Sequence, residues 1–306
     1  MKDISILIPT YNGVCTQLVN DLCQQAQSLA LCYEIIVADD GSTNIQTVNA
    51  NRSINEQPCC RYIERDVNSG RAAIRNFLAS EAQYEWLLFI DCDMMVCDKG
   101  FLLRYVNDDC QDSAYTKADN ANYRDAVIYG GVTIGPLVPH NLRSIYEKAS
   151  EQEHTVSKRR QSPYHDFHTA NFLVRRDIML AYPFDMRFRH YGYEDVLFGK
   201  TLEEHGIAIR HIDNPLRFEK FESNADFVSK TEEGLRTLYE FRHELRGYSR
   251  LLDTLVNTPK LLLSLLKLWH KHAATTERRN LSGPHPRLLL FKVYKAGYLQ
   301  ALLDKQ

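Results

Sequence analysis

LLFIDCDMMV, residues 87–96, sets an apolar run directly against two carboxylates one residue apart. Leu87, Leu88, Phe89 and Ile90 read as a strand buried on both faces, since nothing in the run alternates toward solvent. Asp91 and Asp93 end it. Along an extended segment, residues i and i+2 point the same way, so the two acids share a side. Paired carboxylates suit a hard divalent cation, Mg2+ or Mn2+, and such a cation can neutralise a diphosphate leaving group. The plainer alternative is turn chemistry, because Asp commonly ends a strand. D-x-D alone is a weak pattern, and its weight depends on where the strand sits.

The flanking chain supplies that position. ISILIPT (4–10) is a second continuous apolar run. QLVNDLCQQAQSLA (17–30) carries apolar residues at 18, 19, 22, 26, 29 and 30, a helical spacing. YEIIVADDGS (33–42) is a strand breaking into acids and a glycine, and RYIERD (61–66) is a weaker one. SGRAAIRNFLASEA (69–82) predicts a helix capped by Ser69, and WLLFIDCD (86–93) closes the series. The order β-α-β-(α)-β-α-β predicts an α/β fold with a doubly wound, mainly parallel sheet. Ligands of such sheets lie outside the carboxyl ends of the strands. PTYN, ADDGS and DCD therefore share one rim. No G-x-G-x-x-G or G-x-x-x-x-G-K-[ST] is present, which excludes a dinucleotide fingerprint and a P-loop. Asp39 and Asp40 instead offer acceptors to a base N–H or ribose hydroxyls, or they form an Asp-Gly turn.

The 306 residues suffice for one large domain with an appendage, or for two domains. Hydrophobic residues make up 44% and charged residues 25%, an ordinary globular balance. Residues 1–241 carry 25 Lys+Arg against 35 Asp+Glu, while residues 242–306 carry 12 against 4. A tail of net charge +8 on a body of −10 points to an anionic partner such as a membrane surface. Cysteines at 15, 23, 32, 59, 60, 92, 97 and 110 form no C-x-x-C, so neither a disulfide framework nor a zinc site is expected. With a strand opening close to Met1, leaving no room for a signal peptide, a reducing cytoplasm is the expected location. AVIYGGVTIG (126–135) reads as a strand with a glycine bend, SEQEHTVSKRRQSPYHD (150–166) as a mobile loop, and FLVRR (172–176) as a short strand. EDVLFGKTLEEHG (194–206) predicts a helix with a terminal Gly cap. From about 226 onward the pattern is helical, broken at Pro259 and at SGPHP (282–286). Within it, LLDTLVNTPKLLLSLLKLWHKH (251–272) suits either an interfacial membrane helix or packing onto the body or a second subunit.

SILIPTYNG, VADDGST, NSGRAAIRN and FIDCDMMV, in this order and spacing, resemble the family 2 glycosyltransferases of the GT-A fold. NFLVRR, FDMRF, YGYEDVLFGKTLEEHG and DNP…FESN extend the resemblance over residues 1–225, leaving 226–306 as a helical extension. The resemblance implies inverting transfer of a hexosyl or N-acetylhexosaminyl group from a nucleotide-diphosphate sugar. UDP is the expected nucleotide, the acceptor a hydroxyl of a glycan or lipid-linked saccharide, and Mn2+ or Mg2+ the cofactor. It places Thr10, Tyr11 and Asn12 near the nucleotide, Asp40 with Asp39 at the base, and Arg71 by the nucleotide pocket. Asp91 and Asp93 match the metal-holding D-x-D. Asp195 takes the place of the general base, with Glu194 orienting the base or the acceptor; the plainer reading is two acids suiting a helix N-terminus. In HDFHTANF (165–172), His168, Thr169 and Asn171 fall where the family contacts its acceptor. One departure stands out: Phe218 occupies a position where a His ligand is common. His211 nearby, or Arg159 and Arg160 folding over the diphosphate, are the candidates to substitute, against the plainer readings of a structural histidine and a solvated charged loop. No nucleic-acid partner is expected. An aspartate-nucleophile phosphohydrolase competes weakly, because its D-x-D opens from the first strand rather than the fourth, and Met95 stands where Thr or Val is usual. A non-catalytic binding protein is opposed by the intact Asp91, Asp93, Glu194 and Asp195.

Overall fold

Three long apolar runs set the centre of the molecule. The computed structural model describes residues 3–106 and 126–304; Cys110 and the segment 110–125 lie outside the described residues. The chain opens with β1 (Ile4–Thr10), α1 (Thr16–Ser28), β2 (Tyr33–Asp39), α2 (Ile45–Arg52), β3 (Cys60–Glu64), α3 (Arg71–Glu81) and β4 (Trp86–Ile90). All seven residues of β2 are buried, as are Leu87 to Ile90 of β4. That double-sided burial explains the missing alternation. Leu7, Ile36, Ala38, Leu87 and Phe89 face one core with α3. Ile6, Ile8, Ile35, Val37, Leu88 and Ile90 face the other with α1. The predicted cap of α3 is corrected. Gly70, at φ +90°, is the N-cap residue, and the Ser69 hydroxyl turns away to Asp40.

The middle of the chain supplies β5 (Met94–Met95), α4 (Phe101–Val106), β6 (Val127–Tyr129), β7 (Val132–Ile134), α5 (Leu142–Ser150), α6 (Val156–Gln161), β8 (Asn171–Arg175), α7 (Arg176–Ala181), α8 (Glu194–Glu204), β9 (Ile209–His211) and β10 (Leu216–Phe218). The main sheet runs β3-β2-β1-β4-β8-β6-β9. Among the described strands of this sheet, only β8 is antiparallel to its neighbours. Its first residue, Asn171, therefore pairs with Ile90 at the rim where β4 ends. β5, β10 and β7 form a small second sheet. Segment 126–135 is divided between the two sheets at Gly131, whose φ of +92° suits glycine and not an L side chain. Segment 150–166, expected as a mobile loop, instead holds a 3₁₀ turn (Glu151–His154) and α6.

α9 (Asn224–Glu240), α10 (Arg250–Val256), α11 (Lys260–Leu281) and α12 (Leu288–Leu303) complete the described chain, with breaks where Pro259 and SGPHP predict them. Leu235, Leu238, Leu252, Leu255 and Leu299 of these helices lie in one apolar cluster with Val174, Phe184 and Phe198 of the body. The helical segment is thus built onto the sheet core.

Candidate active site

The rim begins with two interlocked loops. Asn12 takes a left-handed φ of +55°, which Asn tolerates better than most residues. Its Oδ1 accepts from the Thr43 and Asn44 N–H groups at 3.0 and 2.8 Å, and its own N–H donates to Ser42 Oγ at 2.6 Å. Thr10 donates to the Gly13 carbonyl, and Tyr11 stands about half exposed at the mouth. Asp39 accepts from the Ser42 N–H and the Tyr62 hydroxyl. Asp40 accepts from the N–H groups of Ser69 and Gly70, from Ser69 Oγ at 2.6 Å, and more distantly from Arg65. Both acids are buried. Asp40 spends its acceptor sites on the turn that launches α3, and so it aims that helix at the rim.

α3 delivers two arginines, one turn apart. Arg71 donates through Nε to Glu194 at 2.8 Å and through Nη2 to Asp91 Oδ2 at 3.1 Å. Arg75, with a side chain only 1% exposed, donates to Asp91 Oδ1 at 2.6 Å and lies 3.5 Å from the same Glu194 oxygen. Each Asp91 oxygen is therefore held by its own guanidinium. Sequence reasoning missed Arg75, although it follows Arg71 at i+4 within NSGRAAIRN and so shares its helix face.

Asp93 is placed differently. Among the described residues no side chain bonds its carboxylate. Its proton affinity is raised, first by burial and then by the charge of Asp91, against the pull of Arg71 and Arg143. The two acids of D-x-D thus divide: Asp91 belongs to an arginine clamp, and Asp93 stays open. Among the described residues no group of three His, Cys, Asp or Glu side chains is placed to hold a metal ion. One open carboxylate still fits Mg2+ or Mn2+, which are commonly held by one or two carboxylates with the remaining positions filled by substrate phosphates and water.

Asp195 sits in the first turn of α8, after Gly192 and Tyr193 at φ +95° and +69°. Its Oδ1 accepts the Val196 N–H at 2.8 Å, and its Oδ2 lies 3.2 Å from His168 Nδ1. Burial alone would raise the pKa of Asp195, but the hydrogen bond and charge of His168 outweigh it and hold it below the usual carboxylate range. Burial alone would lower that of His168, but the bond and charge of Asp195, with Glu147 and Asp166 behind them, raise it. The imidazole still reaches solvent, with 44% of the side chain exposed. Glu194, by contrast, is 4% exposed and engaged by both arginines. The neighbouring acids of YGYEDVLFG are therefore not equivalent.

Several expectations are corrected. Asn171 is not open to an acceptor: it is fully buried, accepts from the Tyr105 hydroxyl, and donates to the carbonyls of Gly131 and Asn214. Thr169 is also buried. Arg159 does not reach over a diphosphate; it lies inside, donating to the carbonyls of His154, Tyr129, Gly130 and Ile212. Arg160 turns to the His211 carbonyl. His211 is a core residue, pushed down to about 3 by burial, with Nε2 against the Pro163 carbonyl at 2.9 Å. Phe218 is buried in β10 beneath the Arg143 guanidinium.

Comparison with known proteins agrees with this frame. The sequence profile described as Glycosyl transferase family 2 matches residues 5–181, and the chain belongs to that family. A chondroitin synthase of Pasteurella multocida is 23% identical over 242 residues, 71% of this chain and 24% of that protein. A chondroitin synthase of Escherichia coli is 25% identical over 239 residues, 71% of this chain and 34% of that protein. The matches span about a quarter to a third of these curated relatives. A mannosyltransferase from Pyrobaculum calidifontis, solved with GDP-Man and Mn2+, is similar with a TM-score of 0.55 at 12% identity, covering 100% of this chain and 90% of that one. That likeness establishes the fold as the GT-A type. Family membership makes the chain a glycosyltransferase.

Proposed function

We propose that the protein transfers a sugar, with inversion, from a UDP-sugar to a hydroxyl of a glycan or lipid-linked saccharide in the cytoplasm. The observation carrying this reading is the continuity from Asp91 through Arg71 to Glu194, next to which Asp195 stands paired with His168. That continuity supports a reading in which donor-side and base-side groups share one rim. The name chondroitin synthase, carried by both of these relatives, supports a glycan acceptor.

In this reading Asp195 takes the proton of the acceptor hydroxyl as its oxygen bonds to the anomeric carbon. The bond from that carbon to the diphosphate breaks on the opposite face, and its electron pair leaves with the diphosphate. An aspartate with an ordinary pKa of about 4 is a weak base in the ground state. It becomes competent as the attacking oxygen gains positive charge. Arg71 and Arg75 hold Asp91 and Glu194 in place, and Asp93 would hold the divalent cation. When bound, the cation neutralises charge on the departing diphosphate. Thr10, Tyr11, Asn12 and the Asp39–Asp40 turn shape the nucleotide end, and His168 orients Asp195.

The test is a thermal-shift titration with UDP, GDP, CMP and dTDP, each with and without Mn2+. Stabilisation by UDP, increased by Mn2+ and losing that increase in Asp93→Ala, is the expected result. Stabilisation by another nucleotide would replace the donor assignment. No response to any of the four would overturn the proposal.

A further inference from the structure

The first half of α11 leaves its outer face bare. Leu261, Leu262, Leu265, Leu268 and Trp269 are each more than half exposed. Spacings of i, i+1, i+4, i+7 and i+8 put them on one face of the helix. The rotation of the helix is set from the other side: Leu263 and Leu266 pack on the main core, and His270 is buried against Tyr294. The leucines are therefore not outward through loose docking. Single exposed leucines are ordinary, but a contiguous stripe marks a contact surface.

The margin of that stripe is cationic. Lys260, Lys267 and Lys271 follow one edge, and Lys267 reaches Asp304 at 3.1 Å. Trp269 satisfies its indole N–H inward, on Glu277 at 2.7 Å, and turns ring carbon outward. The surrounding segment 242–306 carries net charge +8 beside a body of −10. Among the described residues no helix is long and apolar enough to cross a membrane.

We propose that this face of α11 lies in the surface plane of an anionic lipid bilayer, with the leucines and Trp269 at the acyl boundary and the lysines on the headgroups. An apolar stripe with Lys and Trp at its edges is the pattern such helices share, and anionic headgroups attract the cations. A second copy of the chain is the competing occupant. It fits less well, because an isologous contact would bring two lysine-edged faces of the same sign together. This inference does not depend on the identity of the sugar donor.

Flotation of the full chain with phosphatidylcholine vesicles, with and without phosphatidylglycerol, tests it. The parent protein should float with the anionic vesicles and not with the neutral ones. Leu265→Glu/Leu268→Glu should lower the floated fraction about tenfold or more. Lys260→Glu/Lys271→Glu should lose the preference for phosphatidylglycerol, and both variants should melt like the parent. Failure to float, or flotation unchanged in the leucine variant, would overturn the proposal. So would a parent dimer that the leucine variant converts to monomer without any flotation. Flotation intact in a protein that responds to none of UDP, GDP, CMP and dTDP would strike the transferase reading alone.

Discussion

His168 Nδ1 lies 3.2 Å from Asp195 Oδ2, and each group shifts the other's protonation in the sense that favours the ion pair. For His168, with a raised folded-state pKa, the stabilisation is fully present below the unfolded value of about 6.5 and is lost as pH rises through the folded value. For Asp195, with a depressed one, it is present above the unfolded value of about 3.9 and is lost as pH falls through the folded value.

A pH dependence of transfer follows. While His168 is charged, Asp195 holds a proton poorly. As pH rises through the raised pKa of His168, that charge leaves and Asp195 becomes the stronger base. Initial rates should climb along a limb lying above about pH 6.5. His168→Asn should remove the limb and cancel the parent's melting-temperature advantage at low pH. The same limb in the variant would refute the coupling.

Asp195→Asn keeps the hydrogen-bonding shape and removes the proposed base. Transfer should fall by about 10²–10⁴-fold. Nucleotide-dependent thermal stabilisation should be unchanged, because the proposed donor groups are elsewhere on the rim. Turnover within a few-fold of the parent would move the base to another residue.

Arg75 is buried between Asp91 and Glu194, so replacing it leaves Asp91 Oδ1 without its guanidinium and Arg71 as the one cation shared by the two acids. Arg75→Met should destabilise the fold by about 3 kcal/mol in urea unfolding. Adding Asp91→Asn should recover part of that loss, since the two residues are in direct contact. Strict additivity would show that the 2.6 Å pair is energetically idle.

The two acids of D-x-D should separate by assay. Asp91→Asn breaks contacts to two arginines and should lower the melting temperature. In Asp93 the ionised form is disfavoured by burial and by Asp91, so its charge opposes folding at neutral pH. Asp93→Asn should leave the melting temperature equal or higher while abolishing the Mn2+ enhancement of nucleotide binding. A marked loss of stability in Asp93→Asn would contradict its open placement.

The strands β1, β2 and β4 were legible because burial on both faces writes itself as an unbroken apolar run. The direction of β8 was not, since strand periodicity is the same either way along the chain. Asn171 looked available for that reason: its partners Tyr105, Gly131 and Asn214 come from three distant segments. The helical turn around Arg159 was hidden in a polar stretch, because the carbonyls that satisfy the buried guanidinium come largely from β6 and the end of β9. Asp195 and Glu194 stood out together, yet their environments differ through partners distant in sequence, the arginines of α3 on Glu194 and His168 on Asp195. Arg75 was within reach of helical spacing, but an arginine in a helix usually reads as surface.

The leucines of α9, α10 and α12 are sunk into the same core as the sheet. Whatever α11 rests on would therefore fix the tilt of the rim that carries the proposed site. Such an enzyme works at a set height, and the distance from the support to the growing end of its acceptor becomes a constraint on which acceptors it can extend.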